Sequence, residues 1–281
     1  MIETFILFLS IRGRINFLQL ARYGKHKEQR YRQQFEKQFE KQFDFLTFNK
    51  QLTLAHGSGR YAIAFDPSYI SKSGKKTPGV GWYWSGCANQ AKWGLEIAGL
   101  AAIDIENHTA FHLEAVQTLN TDDQTLTDWY AGVISDRKDV LSGISKYLVA
   151  DAWFSKKPFT DQIVACKLYF STDVSMEPSE VLLYYHSRFQ IEFLYRDGKQ
   201  HTGLNDSQAR SVNKLHFQFN ASLTSINIAK AIHWLSIPKE ERGAFSMSDI
   251  KTMNHNALLL KRFIDVFGIR PYSIKNQNYV K

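Results

Sequence analysis

The chain has 281 residues, 44% of them hydrophobic and 14% aromatic, which excludes a disordered protein and leaves room for one large core or two domains. Its formal net charge is +8, and the first 60 residues carry 11 Lys/Arg against 5 Asp/Glu, a bias that suits a polyanionic partner such as nucleic acid, with a merely solvated basic surface as the alternative. Two cysteines, Cys87 and Cys166, have no C-x-x-C spacing and no histidine pattern beside them, which excludes a disulfide framework and a zinc site and makes both read as small buried hydrophobes.

Residues 1–60 read as a basic helical region. Ile2 to Ile11 is too short to span a bilayer, and its basic residues lie on the wrong side for a signal peptide, so it reads as a helix of a cytoplasmic protein. Helices break at Gly13 and end at Gly24, and a second helical run is expected from Glu28 to Asn49. In that run Phe35, Phe39 and Phe43 form one apolar stripe, most simply for packing. Helical, basic and followed by the glycine-rich GSGR at 57–60, the region is a candidate DNA-binding segment, although no helix-turn-helix pattern is present.

From Tyr61 the pattern changes to strands. YAIAFDPSYI is a short apolar run that delivers Asp66 at its exit. The basic loop SKSGKKT follows; it lacks the first glycine of a phosphate-binding P-loop, and Lys72, Lys75 and Lys76 are better suited to touching DNA phosphates. WGLEIAGLAAIDIEN and TAFHLEAVQT read as two further strands with a turn near Asn107, giving a three-stranded antiparallel meander from 61 to 118. Asp104 and Glu106 read as turn carboxylates. Trp82, Tyr83, Trp84 and Trp93 read first as packing, with base stacking as the second possibility.

A helix is expected over Thr121 to Lys146, with Asp122 and Asp123 at its start. KYLVADAWF then delivers Asp151 from a second apolar strand, SKKPFTDQIVAC reads as a short helix and KLYFST as a short strand. Pro178 opens the next helix and Gly203 closes it. Three strands, helix, strand, helix, strand, helix is the order of a ribonuclease H-like α/β core, a mixed sheet flanked by helices. The expected divisions are a basic helical region over 1–60, the core over 61–235 and a C-terminal helical appendage over 236–281. In such a core the strands carrying Asp66 and Asp151 lie side by side, and the helix after the fifth strand brings Glu192 across to them.

That helix carries YHSRFQIEFLYRDGK at 185–199. At 100° per residue, Tyr185, Arg188, Glu192 and Lys199 share one face. Leu182, Phe189 and Phe193 lie on one side of them and Tyr184, Ile191 and Tyr195 on the other, and both flanks are expected to pack. Arg188 and Glu192 could form an ordinary surface ion pair. Three carboxylates with no His or Cys nearby make a hard oxygen site for Mg²⁺, with Mn²⁺ as a substitute, and two such ions would serve in-line phosphoryl transfer. His108, His112, His186 and His201 show no ligand spacing.

The spacing Y-x2-R-x3-E-x6-K, with FDPSYISKSGKKT and VADAWFSKKPF around the two aspartates, resembles the DDE transposases of bacterial insertion sequences, in the Tyr-Arg-Glu-Lys, insertion-sequence-four-like branch. The resemblance implies catalytic, metal-binding Asp66, Asp151 and Glu192, with Asp66 bridging both ions. It implies contacts of Tyr185, Arg188 and Lys199 with the transposon end, Arg196 being a weaker candidate, and double-stranded DNA as partner in a homodimeric complex, with no membrane. The protein is then a metal-dependent DNA endonuclease and strand transferase of the nucleoid. One departure is the interval of 40 residues between Asp151 and Glu192, where this branch usually carries a long strand-rich insertion. Gly198 falls inside the helix, where glycine costs about 1 kcal/mol and could loosen Lys199. The competing readings are a catalytically impaired DNA-binding remnant that binds element ends or inhibits the intact enzyme, and a nuclease without strand transfer.

Overall fold

The computed structural model describes residues 1–37, 43–119, 124–151, 167–168 and 176–270. Strand β1 (Tyr61–Ser71) lies at the centre of a six-stranded sheet. It pairs antiparallel with β3 (Gln90–Asp104) from Tyr61–Asp104 to Ser71–Gly94, and parallel with β5 (Tyr147–Val149) through Ile63–Leu148 and Ala64–Val149. On the far edge of β3, β2 (Gly81–Ser85) pairs with residues 90–94 and β4 (Thr109–Gln117) with residues 97–104, while β6 (Lys167–Leu168) runs parallel to β5. The expected meander is present, with β2 added to it. Tyr61 to Phe65 are all buried, as a strand covered on both faces requires, and this mixed sheet with helices fits a ribonuclease H-like core.

Helices cover both faces. On one, α1 (Ile2–Ser10), α2 (Phe17–Tyr23), α3 (Glu28–Glu36) and α4 (Phe45–His56) place Phe8, Ile11 and Phe35 in one cluster with Ala62, Ile97 and Phe217. The basic region over 1–60 therefore shares its core with the strands. The helical run expected over Glu28–Asn49 is divided: α3 ends at Glu36, and Asp44 caps α4 by accepting the Thr47 N–H at 3.0 Å. On the other face, α5 (Leu126–Ser135) and α6 (Lys138–Ser142) pack Tyr130, Ile134 and Leu141 against Ile63, Phe65 and Leu148. These two replace the single helix expected over Thr121–Lys146. The break falls at Arg137, whose guanidinium turns back to Glu114 and to the Val133 carbonyl. Asp122, Asp123, Phe39, Cys166 and the helix expected over 155–166 lie outside the described residues, as does the rest of KLYFST beyond β6. Cys87 is exposed, contrary to the expectation for it, because it falls in the tight turn between β2 and β3.

The long helix α9 (Val212–His233) closes an edge of the sheet. Strand β4 has paired with β3 on one side, which leaves a row of unpaired backbone groups on the other. Asn220 accepts the Ala115 N–H at 2.8 Å and donates to the Ala115 carbonyl at 2.9 Å; Asn227 does the same for His112, at 2.8 and 2.7 Å. Lys230 donates to the Ala110 carbonyl at 2.6 Å, and Asn49 of α4 to Leu113 at 3.0 Å. Offsets of 0, 7 and 10 put Asn220, Asn227 and Lys230 on one helix face. The helix thus takes the place of a neighbouring strand, which is why polar residues are buried along it. C-terminal α10 (Met247–Val266) is anchored by buried Lys251, which donates to the carbonyls of Phe8 and Ile11 at the negative end of α1.

Replacing Asn227 by alanine leaves the His112 N–H and carbonyl without partners and is expected to cost about 2–4 kcal/mol, from the desolvation of two buried groups; a lower urea midpoint at unchanged slope checks it. His112 is buried with Nε2 3.0 Å from Asn220 Oδ1, and burial pushes its pKa down to about 3 from 6.5. Between those values the unfolded chain binds a proton that the folded chain refuses. This group's contribution is therefore complete above pH about 6.5 and lost as pH falls, by at most ~1.4 kcal/mol per unit. Urea midpoints measured from pH 7 to 4 should fall, and fall less steeply in His112→Gln.

Candidate active site

The helix expected from Pro178 to Gly203 forms as two, α7 (Pro178–Ser187) and α8 (Gln190–His201). Between them Arg188 and Phe189 keep helical dihedrals, but the hydrogen bonds shorten to three-residue steps: Arg188 to Tyr185 at 3.2 Å, Phe189 to His186 at 3.4 Å and Ile191 to Arg188 at 3.1 Å. Such a tightened turn shifts the faces of the two halves relative to each other. Tyr184, Ile191 and Tyr195 are buried, whereas Leu182, Phe189 and Phe193 stay about half exposed. Only one of the two expected apolar flanks packs, because the sheet lies on only one side of the pair. Gly203, at φ +75°, ends α8 in the left-handed conformation that favours glycine.

Three carboxylates from remote segments converge on one guanidinium. Asp66 lies on β1 and Asp151 two residues beyond β5, each two positions past the paired Ala64 and Val149, so neighbouring strands deliver them together. Glu192 stands in the first turn of α8. Arg188 reaches Asp66 at 3.3 Å, Glu192 at 3.3 Å and Asp151 at 3.8 Å, with its side chain 6% exposed. It is no surface ion pair. Its Nε has no hydrogen-bond partner among the described residues. Burial, with Glu192 and Asp151 adding to it against the pull of Arg188 and Lys199, pushes the Asp66 pKa up to about 7.

The carboxylate on β1 is held from beneath. Tyr195 of α8 donates to the Asp66 carbonyl at 2.6 Å. It passes over Gly99, the β3 partner of Asp66, where an added Cβ would fall 1.8 Å from the phenol oxygen. Lys199 donates to Ser68 on β1 at 2.9 Å, and burial lowers its pKa. Gly198 does not loosen it: a Cβ there would meet Leu223 at 2.9 Å and Leu204 at 3.2 Å, so glycine lets α8 approach α9 closely. Tyr185 is half-buried one turn before Arg188, and Arg196 is exposed and pairs with Asp197 at 3.1 Å. Lys75 and Lys76 are exposed, while Lys72 turns inward and donates to the Ser207 and Ala209 carbonyls at 2.6 and 2.9 Å.

Beside the carboxylates lies a cavity of about 500 Å³ whose walls include Asp66, Asp151, Glu96, Trp82 and Trp84. Sequence reasoning missed Glu96, although a charge inside the apolar run Leu95–Ile97 is the signal that could have found it. It is buried, accepts from Tyr130 and from Thr118 at 3.0 Å, and burial raises its pKa. Trp82 and Trp84 are 70% and 61% exposed, which removes core packing as the account of them. Asp104 is a turn carboxylate as expected, accepting from Ser58 and Asn107.

Among the described residues no three Asp, Glu, His or Cys side chains stand close enough to share one metal ion as placed. The donor set nonetheless fits a hard divalent cation: all three groups are carboxylates, and they already converge on a positive charge. Residues 9–228 match the family model described as the transposase DDE domain. The chain belongs to the DDE transposase family. Transposition, a form of DNA recombination, is the activity of that family, and its members are generally dependent on divalent metal. No curated protein matches this DDE transposase chain. The solved structure titled "Cryo-EM structure of piggyBac transposase synaptic complex with hairpin DNA" is 10% identical to it, with a TM-score of 0.49 over 98% of this chain and 73% of that one. No helix among the described residues is long and apolar enough to cross a membrane.

Tyr195→Phe removes the donor to the Asp66 carbonyl and should cost about 1–3 kcal/mol, read as a lower melting temperature. Gly99→Ala drives a methyl group into the same phenol and should cost about as much. A melting temperature unchanged in both would exclude the contact.

Proposed function

We propose that this member of the family cuts DNA at the ends of an insertion sequence and joins the freed 3′ ends to target DNA, in the manner of the Tyr-Arg-Glu-Lys branch. The observation that carries the proposal is the meeting of Asp66, Asp151 and Glu192 around Arg188. Asp66, flanked by the other two, would hold both of two Mg²⁺ or Mn²⁺ ions, and Asp151 and Glu192 one each. When bound, such ions activate the attacking oxygen of water or a DNA 3′ end and stabilise the departing one.

The chain's own groups do the rest. Arg188 balances the carboxylates before loading, and its guanidinium matches phosphate as well as carboxylate. Burial raises the Asp66 pKa, so loading of the site should favour loss of its proton. Lys199, fixed by Ser68, and Tyr185 would position the transposon-end backbone. Lys72, Lys75 and Lys76 would meet phosphates beyond it, and the exposed indoles of Trp82 and Trp84 would stack on unpaired bases. Double-stranded DNA is then the partner, and two copies of the chain would hold two ends in a nucleoid-associated complex.

Two features favour the second reading, a DNA-binding remnant: Arg188 occupies the meeting point of the carboxylates, and the Asp151–Glu192 interval is short. Incubation of purified protein with Mg²⁺ or Mn²⁺ and the DNA flanking its gene separates the readings. End cleavage with joining supports a transposase, binding without cleavage a remnant, and cleavage without joining a nuclease. In the active case Asp66→Asn, Asp151→Asn and Glu192→Gln each bring cleavage below detection and leave duplex binding within about twofold, since metal-free binding depends on cationic contacts. Full cleavage by any of the three would end the assignment.

A further inference from the structure

A second concave surface lies along β1 beyond the carboxylates. It is a cleft of about 910 Å³ between the loop that follows β1, the loop that follows α8 and the turn between α1 and α2. Five cations line it, Arg14, Arg32, Lys72, Arg210 and Lys214, against one carboxylate, Asp206. Arg32 and Lys214 are balanced by Glu28 and Glu36, each at 2.5 Å. Asp206 accepts the Ile15 N–H at 2.7 Å, and Arg14 and Lys251 act on its charge from beyond ion-pair distance. Arg14 and Arg210 are exposed and form no ion pair among the described residues. Lys72 is held by the Ser207 and Ala209 carbonyls, and burial, with the like charge of Arg210 adding to it, lowers its pKa. An anion would relieve that repulsion.

Two buried polar groups in the same walls have no partner among the described residues: the Thr77 hydroxyl, on a residue 4% exposed, and Asn205 Oδ1. A hydroxyl can donate to an anion, and turning the Asn205 amide over presents its N–H2 there. Ser211, the cap of the 22-residue α9, also lines the cleft, which brings a helix N-terminus to it. The unpartnered Thr77 is independent of that helix end and points to the same kind of ligand.

The cleft lies in line with the catalytic carboxylates. Asp66 and Ser68 with its Lys199 partner follow one another along β1, and Lys72 stands just past its end. Six residues of strand span about 20 Å, and one DNA strand carries a phosphate about every 3.4 Å along the helix axis. We infer that this cleft grips the phosphodiester backbone of bound DNA about six base pairs from the bond beside Asp66, through Arg14, Arg210, Lys72 and Thr77. The inference rests on the DNA reading of the carboxylate site and adds to it a surface on which the duplex is held.

The test is carried out without metal, so that it does not depend on the carboxylates. A fluorescein-labelled 30-base-pair duplex of mixed sequence is titrated with the full chain in EDTA, by anisotropy, from 50 to 200 mM KCl. Arg14→Ala/Arg210→Ala should weaken binding about tenfold and make the salt dependence shallower by about 2, at about 0.9 per lost phosphate contact. Thr77→Val, which replaces an unpartnered hydroxyl by a methyl, should weaken binding about threefold with no loss of melting temperature. Lys138→Ala/Lys239→Ala, which removes two exposed charges elsewhere, should leave both readouts unchanged. An unchanged affinity and salt slope in the first variant, or an equal loss in the control, overturns the cleft alone. So does calorimetric binding of inorganic phosphate that the cleft variants lose while duplex affinity holds. Failure of the unmodified chain to bind the duplex at any salt overturns the DNA reading and the cleft together.

Discussion

The site is organised by one electrostatic contact, the guanidinium of Arg188 among the carboxylates of Asp66, Asp151 and Glu192. Like charges brought together at the edge of a core repel, and burial penalises Asp66 further. A cation at the meeting point is what permits the assembly. The planar guanidinium presents several donors at once, which a lysine ammonium would do less well. Arg188 can occupy the point because it stands at the tightened turn between α7 and α8, above the strands that carry the two aspartates. The feature that breaks the helix and the feature that gathers the carboxylates are one.

Around this contact the scaffold is held by groups that contribute no chemistry. Tyr195 fixes the Asp66 backbone, and Gly99 leaves it room to do so. Gly198 admits Leu223 and Leu204, which sets how near α8 lies to α9. The same α9 supplies the amides that close the free edge of β4. A polar helix buried against a strand edge exchanges apolar packing for satisfied backbone groups, and its hydrogen bonds specify one register. Side chains on β1 therefore keep their places relative to Glu192.

Cationic residues are distributed in two ways. Some are spent on structure: Lys230 and Lys251 are buried against backbone carbonyls, with pKa values pushed down to about 8 and about 7 by burial. Others, such as Arg14, Arg210, Lys75 and Lys76, remain at the surface. Net charge alone does not separate the two, although only the second kind contributes to a surface field for a polyanion. The basic helices of residues 1–60 show the same division, since their apolar faces complete the core while Arg14 and Arg32 line the cleft beside the β1 loop.

Local order in this chain was legible from its letters. The apolar runs ending at Asp66 and Asp151, their alternation with helices, and the four-residue step from Arg188 to Glu192 follow from periodicities of two and 3.6 residues, which neighbouring side chains impose on each other. What folding alone decided lies between residues far apart in the chain. It chose which flank of α7 and α8 would pack, broke the helix expected over 121–146, added β2, turned Lys72 inward and brought Glu96 and Asp66 to the walls of one cavity. It also brought Asn220 and Asn227 to the edge of β4. Those outcomes depend on strand register and on the close approach of helices to the sheet, where a single methyl group at Gly99 or Gly198 would matter. A periodic pattern records which way a side chain points along its own element, and carries no information on what stands opposite.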